Sequence, residues 1–68
     1  MPIRISLNGA PREFPAPLTF DQLLAELALA GRRLAVERNG QIVPRSSFAA
    51  TRLADGDRIE VVVAVGGG

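Results

Sequence analysis

One segment of the sequence has the spacing of an amphipathic helix, and the rest of the chain has to be arranged around it. Its apolar residues recur at positions i, i+3, i+4 and i+7 and are Phe20, Leu23, Leu24 and Leu27. Thr19 and Gln22 have the spacing of a capping box, which predicts the start of the helix, and Gly31 predicts its end. A chain of 68 residues forms one domain at most, so this apolar face can be buried only against strands of the same domain.

Most of the remaining segments are predicted to be strands, because apolar residues alternate with polar ones or form short β-branched runs. These segments are residues 3–7, 10–14, 34–38, 41–43 and 58–65. Asn-Gly pairs at 8–9 and 39–40 predict two-residue hairpin turns, and Pro11 confines its strand to an edge. The first and last strands are the most apolar, so we expect them to be parallel neighbours in the middle of the sheet. The pattern predicts an α+β domain with a mixed four- to five-stranded sheet packed on one main α-helix. Phe48 and Leu53 are expected to reach its core.

The composition excludes most catalytic chemistry. The sequence contains no His, Cys or Lys, and its charged residues are eight arginines and seven carboxylates. It therefore offers no imidazole base, no thiolate and no Schiff-base amine. Asp55 and Asp57 flank Gly56 and are interpreted as a turn, since two carboxylates without further ligands do not make a metal site. We expect no catalytic residue and no metal in this chain.

Charge and hydropathy also limit the kinds of partner. The net charge is +1 and no run of like charge occurs, which argues against a nucleic-acid interface. The start of the chain does not have the pattern of a signal peptide. The longest apolar run, residues 61–65, is too short to cross a bilayer. We therefore expect a cytoplasmic protein with no membrane and no nucleic acid among its partners.

The sequence finishes with an alternation of valines followed at once by Gly66, Gly67 and Gly68, an arrangement that in isolation is typical of a frayed terminus. Three other segments give it a context, and they read VERNG (36–40), IVPR (42–45) and LADGDRIEVV (53–62). Together with AVGGG at 64–68, they make essentially the whole chain resemble the ThiS family, the ubiquitin-like sulfur carriers of thiamine biosynthesis. The resemblance implies a β-grasp (ubiquitin-like) domain over residues 1–65 and a flexible tail over residues 66–68.

The resemblance also implies a role for the tail. In such carriers the C-terminal carboxylate, here that of Gly68, is adenylated by an ATP-dependent, ThiF-like adenylyltransferase and converted to a thiocarboxylate. It then donates sulfur to a ThiG-like thiazole synthase, with a cysteine desulfurase as the indirect sulfur source. Gly66 and Gly67 would provide access, because glycine lacks a Cβ and can thread a narrow channel. The chain would bind no cofactor, since its partner uses the ATP, and it would be a co-substrate rather than an enzyme.

A docking surface is expected beside the tail, on the outer face of the last strand. Glu60, Val62 and Ala64 alternate onto this face, with Arg4 on the neighbouring first strand. One interpretation is a solvated face with an Arg4–Glu60 ion pair, worth at most about 1 kcal/mol. The other is a partner interface with Val62 as its apolar centre. The resemblance favours the second.

Three alternatives remain open at the level of sequence. A molybdopterin-synthase small subunit, or another sulfur carrier, has the same fold and tail chemistry. A ubiquitin-like protein modifier also begins with adenylation but ends on a lysine of its target. A pure interaction domain would have an inert tail.

Overall fold

One helix packs against one face of a five-stranded mixed sheet. The computed structural model describes residues 1–64, so the proposed tail and Val65 lie outside the described residues. The elements in chain order are β1 (Ile3–Leu7), β2 (Ala10–Phe14), α1 (Phe20–Glu26), β3 (Leu34–Arg38), β4 (Gln41–Ile42), a 3₁₀ turn (Arg45–Ser47) and β5 (Arg58–Val63).

The strand order is β2-β1-β5-β3-β4. β1 and β5 are parallel neighbours, with Leu7 opposite Ile59. The other pairs are antiparallel, and Val36 of β3 lies opposite Val61 of β5. The prediction that the first and last strands meet in the middle of the sheet is therefore confirmed, as is the α+β class.

The core lies between α1 and the inner face of the sheet. Its buried apolar residues are Ile3, Ile5, Leu7, Phe20, Leu23, Leu24, Val36, Phe48, Leu53, Ile59 and Val61. Each such side chain contributes roughly 1.5–3 kcal/mol when it is removed from water. Phe48 and Leu53 come from the irregular segment before β5, and their predicted burial is confirmed. The Phe48 ring lies 6.2 Å from that of Phe20, so this segment closes one side of the core.

Both predicted hairpin turns are present. Asn8 and Gly9 have φ values of 49° and 86°, and Asn39 and Gly40 have 50° and 87°. Positive φ at both central residues matches the right-handed twist of the flanking strands, and asparagine and glycine tolerate it best. The turns fix the register of both hairpins, with Leu7 opposite Ala10 in the first.

The helix begins as predicted but ends earlier. The Thr19 hydroxyl accepts a hydrogen bond from the Gln22 amide, and the Gln22 side chain accepts one from the Thr19 amide, which completes the capping box. The prediction that Gly31 ends the helix is wrong, because the last helical residue is Glu26. Gly31 has a positive φ of 79° but belongs to the turn that follows.

The helix is closed by a Schellman motif with an alanine in the left-handed position. Ala28 has a φ of 59°. Its amide donates to the Ala25 carbonyl at 3.0 Å, and the Leu29 amide donates to the Leu24 carbonyl at 2.8 Å. Leu29 packs against the core beside the helix, so apolar contact selects this earlier end. The sequence contains no glycine at the position, which is why its pattern pointed to Gly31 instead.

Replacing Ala28 by glycine should therefore stabilise the protein. A left-handed conformation costs an alanine roughly 1 kcal/mol that glycine does not incur. We expect Ala28→Gly to raise the free energy of unfolding by about that amount in urea titrations. Ala25→Gly, at an exposed position inside the helix, is the matched control and should lower it by about 1 kcal/mol. Equal losses in both variants would contradict the left-handed geometry at Ala28.

Candidate functional site

The proposed carrier residue Gly68, with Gly66 and Gly67, lies outside the described residues, but the strand that leads to it is described. β5 lies at the centre of the sheet, between β1 and β3. Beyond β5, the Ala64 amide still donates to the carbonyl of Arg33 at 2.9 Å. The chain is therefore held by the sheet up to the last residue that the structure describes.

Backbone hydrogen bonds hold β5 on both edges. On the β1 side, the amides of Ser6 and Asn8 donate to the carbonyls of Asp57 and Ile59, each at 2.9 Å. On the β3 side, the Asn39 amide donates to the Arg58 carbonyl at 2.8 Å.

The Asn8 side chain continues the ladder where β1 ends. Its Oδ1 accepts a hydrogen bond from the Val61 amide at 2.8 Å, and its Nδ2 donates to the Val61 carbonyl at 3.1 Å. A side-chain amide has the same donor and acceptor as a peptide group, so it substitutes for the next residue of a strand. Asn8 thus forms the turn through its backbone and supports β5 through its side chain.

A buried carboxylate secures the start of β5. The Asp57 side chain accepts hydrogen bonds from the Ala54 amide at 2.8 Å and from Asn39 Nδ2 at 3.2 Å. It also pairs with Arg38 at 2.9 Å, and the Arg38 guanidinium lies 6.0 Å from the centre of the Phe20 ring. A buried charge with this many partners is compensated.

Both carboxylates of the 55–57 turn are used by the fold. Asp55 Oδ1 accepts the Arg4 amide at 2.8 Å, and Gly56 adopts a φ of 88°. Over residues 1–64, no three side chains of the His, Cys, Asp or Glu types gather into a possible metal site. The interpretation of 55–57 as a turn is confirmed.

The outer face of the sheet is the side that α1 does not cover. It carries Arg4, Ser6, Glu13, Ala35, Glu37, Ile42, Arg58, Glu60 and Val62. Val62 is 61% exposed and Ile42 is 64% exposed, and Met1 is the other large apolar residue this exposed within the described chain. The predicted docking residues Val62, Glu60 and Arg4 are all exposed on this face. Ala64 is exposed just beyond the end of β5.

Sequence reasoning missed Ile42 as part of the outer face. The Asn39-Gly40 turn sets Arg38 opposite Gln41, which places Ile42 opposite the outward-facing Glu37. Counting the hairpin register from the Asn39-Gly40 turn would have placed Ile42 on the outer face.

The solvated-face interpretation paired Arg4 with Glu60, and that partner is wrong. Arg4 pairs with Glu13 of β2 at 3.6 Å, and both side chains are mostly exposed. The two residues lie directly opposite each other in the β1–β2 hairpin, whereas Glu60 lies one step beyond the paired part of β1 and β5. An exposed pair at this distance contributes little to stability.

Two glutamates occupy opposing positions of neighbouring strands in the middle of the outer face. Glu37 of β3 and Glu60 of β5 are directly opposite each other, and within residues 1–64 neither has a cationic group within 4.0 Å. Like charges at opposing positions destabilise a sheet. Ile42 of β4 lies opposite Glu37, and Val62 of β5 lies opposite Ala35. Apolar and negative groups therefore share one surface.

Among the described residues, no helix is long and apolar enough to cross a membrane.

Comparison with known proteins gives a consistent result. The family model described as the ThiS family matches residues 5–68. A crystal structure of the thiamine biosynthesis protein ThiS from Geobacter metallireducens superposes with a TM-score of 0.81 at 33% identity, covering 97% of this chain and 100% of that one. A solution structure from the same organism gives 0.79, also at 33% identity, over 97% and 88% of the two chains. This likeness confirms the β-grasp (ubiquitin-like) fold.

Relatives at the sequence level are of two kinds. Thiazole synthases from Paramagnetospirillum magneticum and Magnetococcus marinus are 46% and 42% identical over 66 residues, which is 97% of this chain and 20% of each relative. This chain therefore spans about a fifth of the length of those proteins. The protein ycf40 of Porphyra purpurea is 36% identical over 97% of this chain and 93% of its own length.

The opposed carboxylates on the outer face make a testable prediction about stability. Glu60→Gln removes the repulsion and should raise the free energy of unfolding by about 0.5 kcal/mol, an effect that added salt should diminish. Glu13→Gln is the matched control, because it removes a carboxylate that is paired with Arg4, and it should not stabilise the protein. Thermal unfolding at low and high salt measures both. Destabilisation by Glu60→Gln would show that this carboxylate has a compensating partner.

Proposed function

The chain belongs to the ThiS family, and from this premise we propose that it is a sulfur carrier of thiamine biosynthesis that carries sulfur on the carboxyl group of Gly68. The observation that supports this most directly is that the family match runs to residue 68 and so includes all three glycines of the tail. The firmly paired β5 that precedes the tail supports it further. An acyl group that must enter another protein's active site needs a firmly held strand before it and a narrow connecting segment without side chains.

The proposed chemistry begins with activation of a poor acyl donor. A ThiF-like adenylyltransferase joins the Gly68 carboxylate to the α-phosphate of ATP and releases pyrophosphate. The terminal sulfur of a persulfide attacks the acyl carbon, and AMP leaves with the electron pair of the broken C–O bond. A thiol of the sulfur donor then attacks the acyl disulfide. The thiocarboxylate departs, and the donor is oxidised to a disulfide.

In this scheme the chain supplies a reacting group and no catalytic side chain, so it acts as a co-substrate. Gly66 and Gly67 give the carboxylate access to each active site. ATP is bound by the activating partner. A cysteine desulfurase generates the persulfide from cysteine, and the proposed setting is the cytoplasm. The sequence has no Cys or Lys side chain that could capture its own activated acyl group.

The proposed acceptor of the sulfur is a ThiG-like thiazole synthase. Two proteins named thiazole synthase each contain a segment of 66 residues that is more than 40% identical to this chain. A carrier-like segment in the same polypeptide as a synthase is what a direct transfer between the two would favour. This observation supports thiazole synthase over a molybdopterin synthase large subunit as the acceptor.

The outer face is the proposed docking surface for these partners. Val62 and Ile42 supply exposed apolar area, and Val62 is only a few residues from the tail. Glu37 and Glu60 supply negative charge that has no cationic partner in the described chain. A partner that brings a basic group between them would relieve their repulsion. Arg4 and Ala64 lie at the margins of this surface.

The proposed function makes a testable prediction about the carrier chemistry itself. After incubation with ATP, a ThiF-like adenylyltransferase and a sulfur donor, the intact chain should gain the mass difference between sulfur and oxygen. Cleavage after Arg58 should place that difference in the peptide 59–68, which contains Gly68. The matched control carries one alanine after Gly68 and should adopt the same fold but gain no sulfur.

Other outcomes separate the alternatives. Modification of the chain only with a molybdopterin-type activating enzyme would indicate the other carrier pathway. Conjugates of the chain with lysines of other proteins would indicate a modifier. Absence of any adenylate, with an enzyme that is active on a second carrier, would contradict the proposal.

The proposed docking surface makes a further testable prediction. Val62→Asp should weaken binding to the adenylyltransferase by about tenfold or more, because it places a charge in the apolar centre of the surface. Thermal stability should change little, since Val62 is mostly exposed. Ala30→Asp adds the same charge to an exposed turn between α1 and β3, and it should bind as the wild type does. Equal affinities for the two variants, measured by titration calorimetry, would contradict docking through this face.

A further inference from the structure

β1 and β5 do not end together, and the difference leaves a notch in the sheet. β1 gives way to its turn at Asn8, whereas β5 continues to Val63. The Asn8 side chain pairs with Val61 and so covers one further residue of β5. The notch is the β1-side edge of β5 at Val63.

The hydrogen-bond pattern shows which backbone groups face the notch. Ala64 donates to the carbonyl of Arg33 on the β3 side, and in an antiparallel pair successive residues alternate between the two edges. Val61 accordingly faces β1 and bonds to Asn8. Val63 faces the same way as Val61. Within residues 1–64, the pairing of β1 with β5 ends at Leu7 and Ile59, so no residue of β1 lies opposite the amide and carbonyl of Val63.

The two outer edges of the sheet are protected, but the notch is not. The edge strand β2 contains Pro11, which has no amide to offer, and the edge strand β4 is two residues long. Short strands and prolines are the ordinary means by which proteins block an edge. At Val63 a donor and an acceptor are both available, and the exposed side chain of Val62 is adjacent.

We propose that an extended segment of the adenylating enzyme pairs with the notch as an added strand, through main-chain hydrogen bonds to Val63. A donor and an acceptor from one residue at a strand edge are complementary to another extended backbone. The position argues for the adenylating enzyme in particular. Val63 is five residues before Gly68, so a strand paired there aligns the tail for attack on ATP. The inference rests on the proposed carrier function and adds the mode of recognition.

Hydrogen exchange of single amides, followed by NMR, tests this on the wild-type chain. In the free protein the amide of Val61 should be protected by Asn8, and that of Val63 should exchange much faster. With saturating adenylyltransferase and no ATP, Val63 should become protected by about tenfold or more, while Val61 stays protected. A Val63 amide that remains unprotected in the bound chain would overturn the proposal. Protection that grows with chain concentration alone would assign the notch to a second copy and overturn it too.

A substitution isolates the amide from the side chain. Val63→Pro removes only the donor that faces the notch, because the β3 bonds are made by the residues on either side. Val62 is already extended, as a residue before proline has to be. Val63→Ala keeps the amide and is the matched control. We expect kcat/KM for adenylation to fall about tenfold further in Val63→Pro than in Val63→Ala. Equal rates in two folded variants would overturn the proposal.

The two proposals fail in different ways. If the enzyme adenylates the wild-type chain but Val63 gains no protection, the carrier function stands and the added strand is wrong. If the enzyme neither binds nor adenylates the chain, both are wrong. If Val63→Pro does not fold, the exchange measurement on the wild-type chain decides.

Discussion

The position of β5 in the middle of the sheet is the constraint on which the other features depend. Asn8 and Asn39 form hairpin turns that lie against opposite edges of this strand. The Asn8 side chain hydrogen-bonds to Val61, and the Asn39 side chain hydrogen-bonds to Arg58 and to Asp57, the residue before the strand. The buried Asp57 joins the Asn39 side chain and Arg38 to the start of β5. The two hairpins therefore define where β5 lies before any contact with the helix is counted. Since β5 leads into the glycine tail, the same bonds set the origin of the proposed carrier group.

The inner and outer faces of the sheet follow different physical rules. The inner face is a continuous apolar layer with α1, and the Arg38–Asp57 pair closes its edge with charges that satisfy each other. The outer face combines two exposed aliphatic side chains with opposed carboxylates, which costs stability and leaves apolar area in water. A surface that is unfavourable in the isolated domain and compact in extent is typical of an interaction site. The contrast between the faces supports docking on the outer side.

Much of this architecture was predictable because local and global signals agree. The helix, both Asn-Gly turns and the neighbouring first and last strands each had a pattern of their own. The predictions that were wrong concern features for which the sequence allows two structures. Helix termination was assigned to Gly31 because an alanine at positive φ gives no signal in the sequence. The solvated-face interpretation chose Glu60 as the partner of Arg4, because the sequence shows neither the stagger of the parallel strands nor the nearest carboxylate. The notch depends on that same stagger, so it could be found only in the structure.

The parallel pairing of β1 with β5 also affects how the domain folds. Ser6 lies opposite Arg58, so the central contact of the sheet joins segments that are distant in the chain. Contacts of this range are slow to form, because a long loop must close before they give any stabilisation. During synthesis on a ribosome, the sheet cannot close until β5 has emerged. A truncated chain therefore lacks its central strand and leaves the helix and first hairpin without a common core. An activating enzyme that recognises the assembled sheet would thus meet only chains whose synthesis has reached the tail.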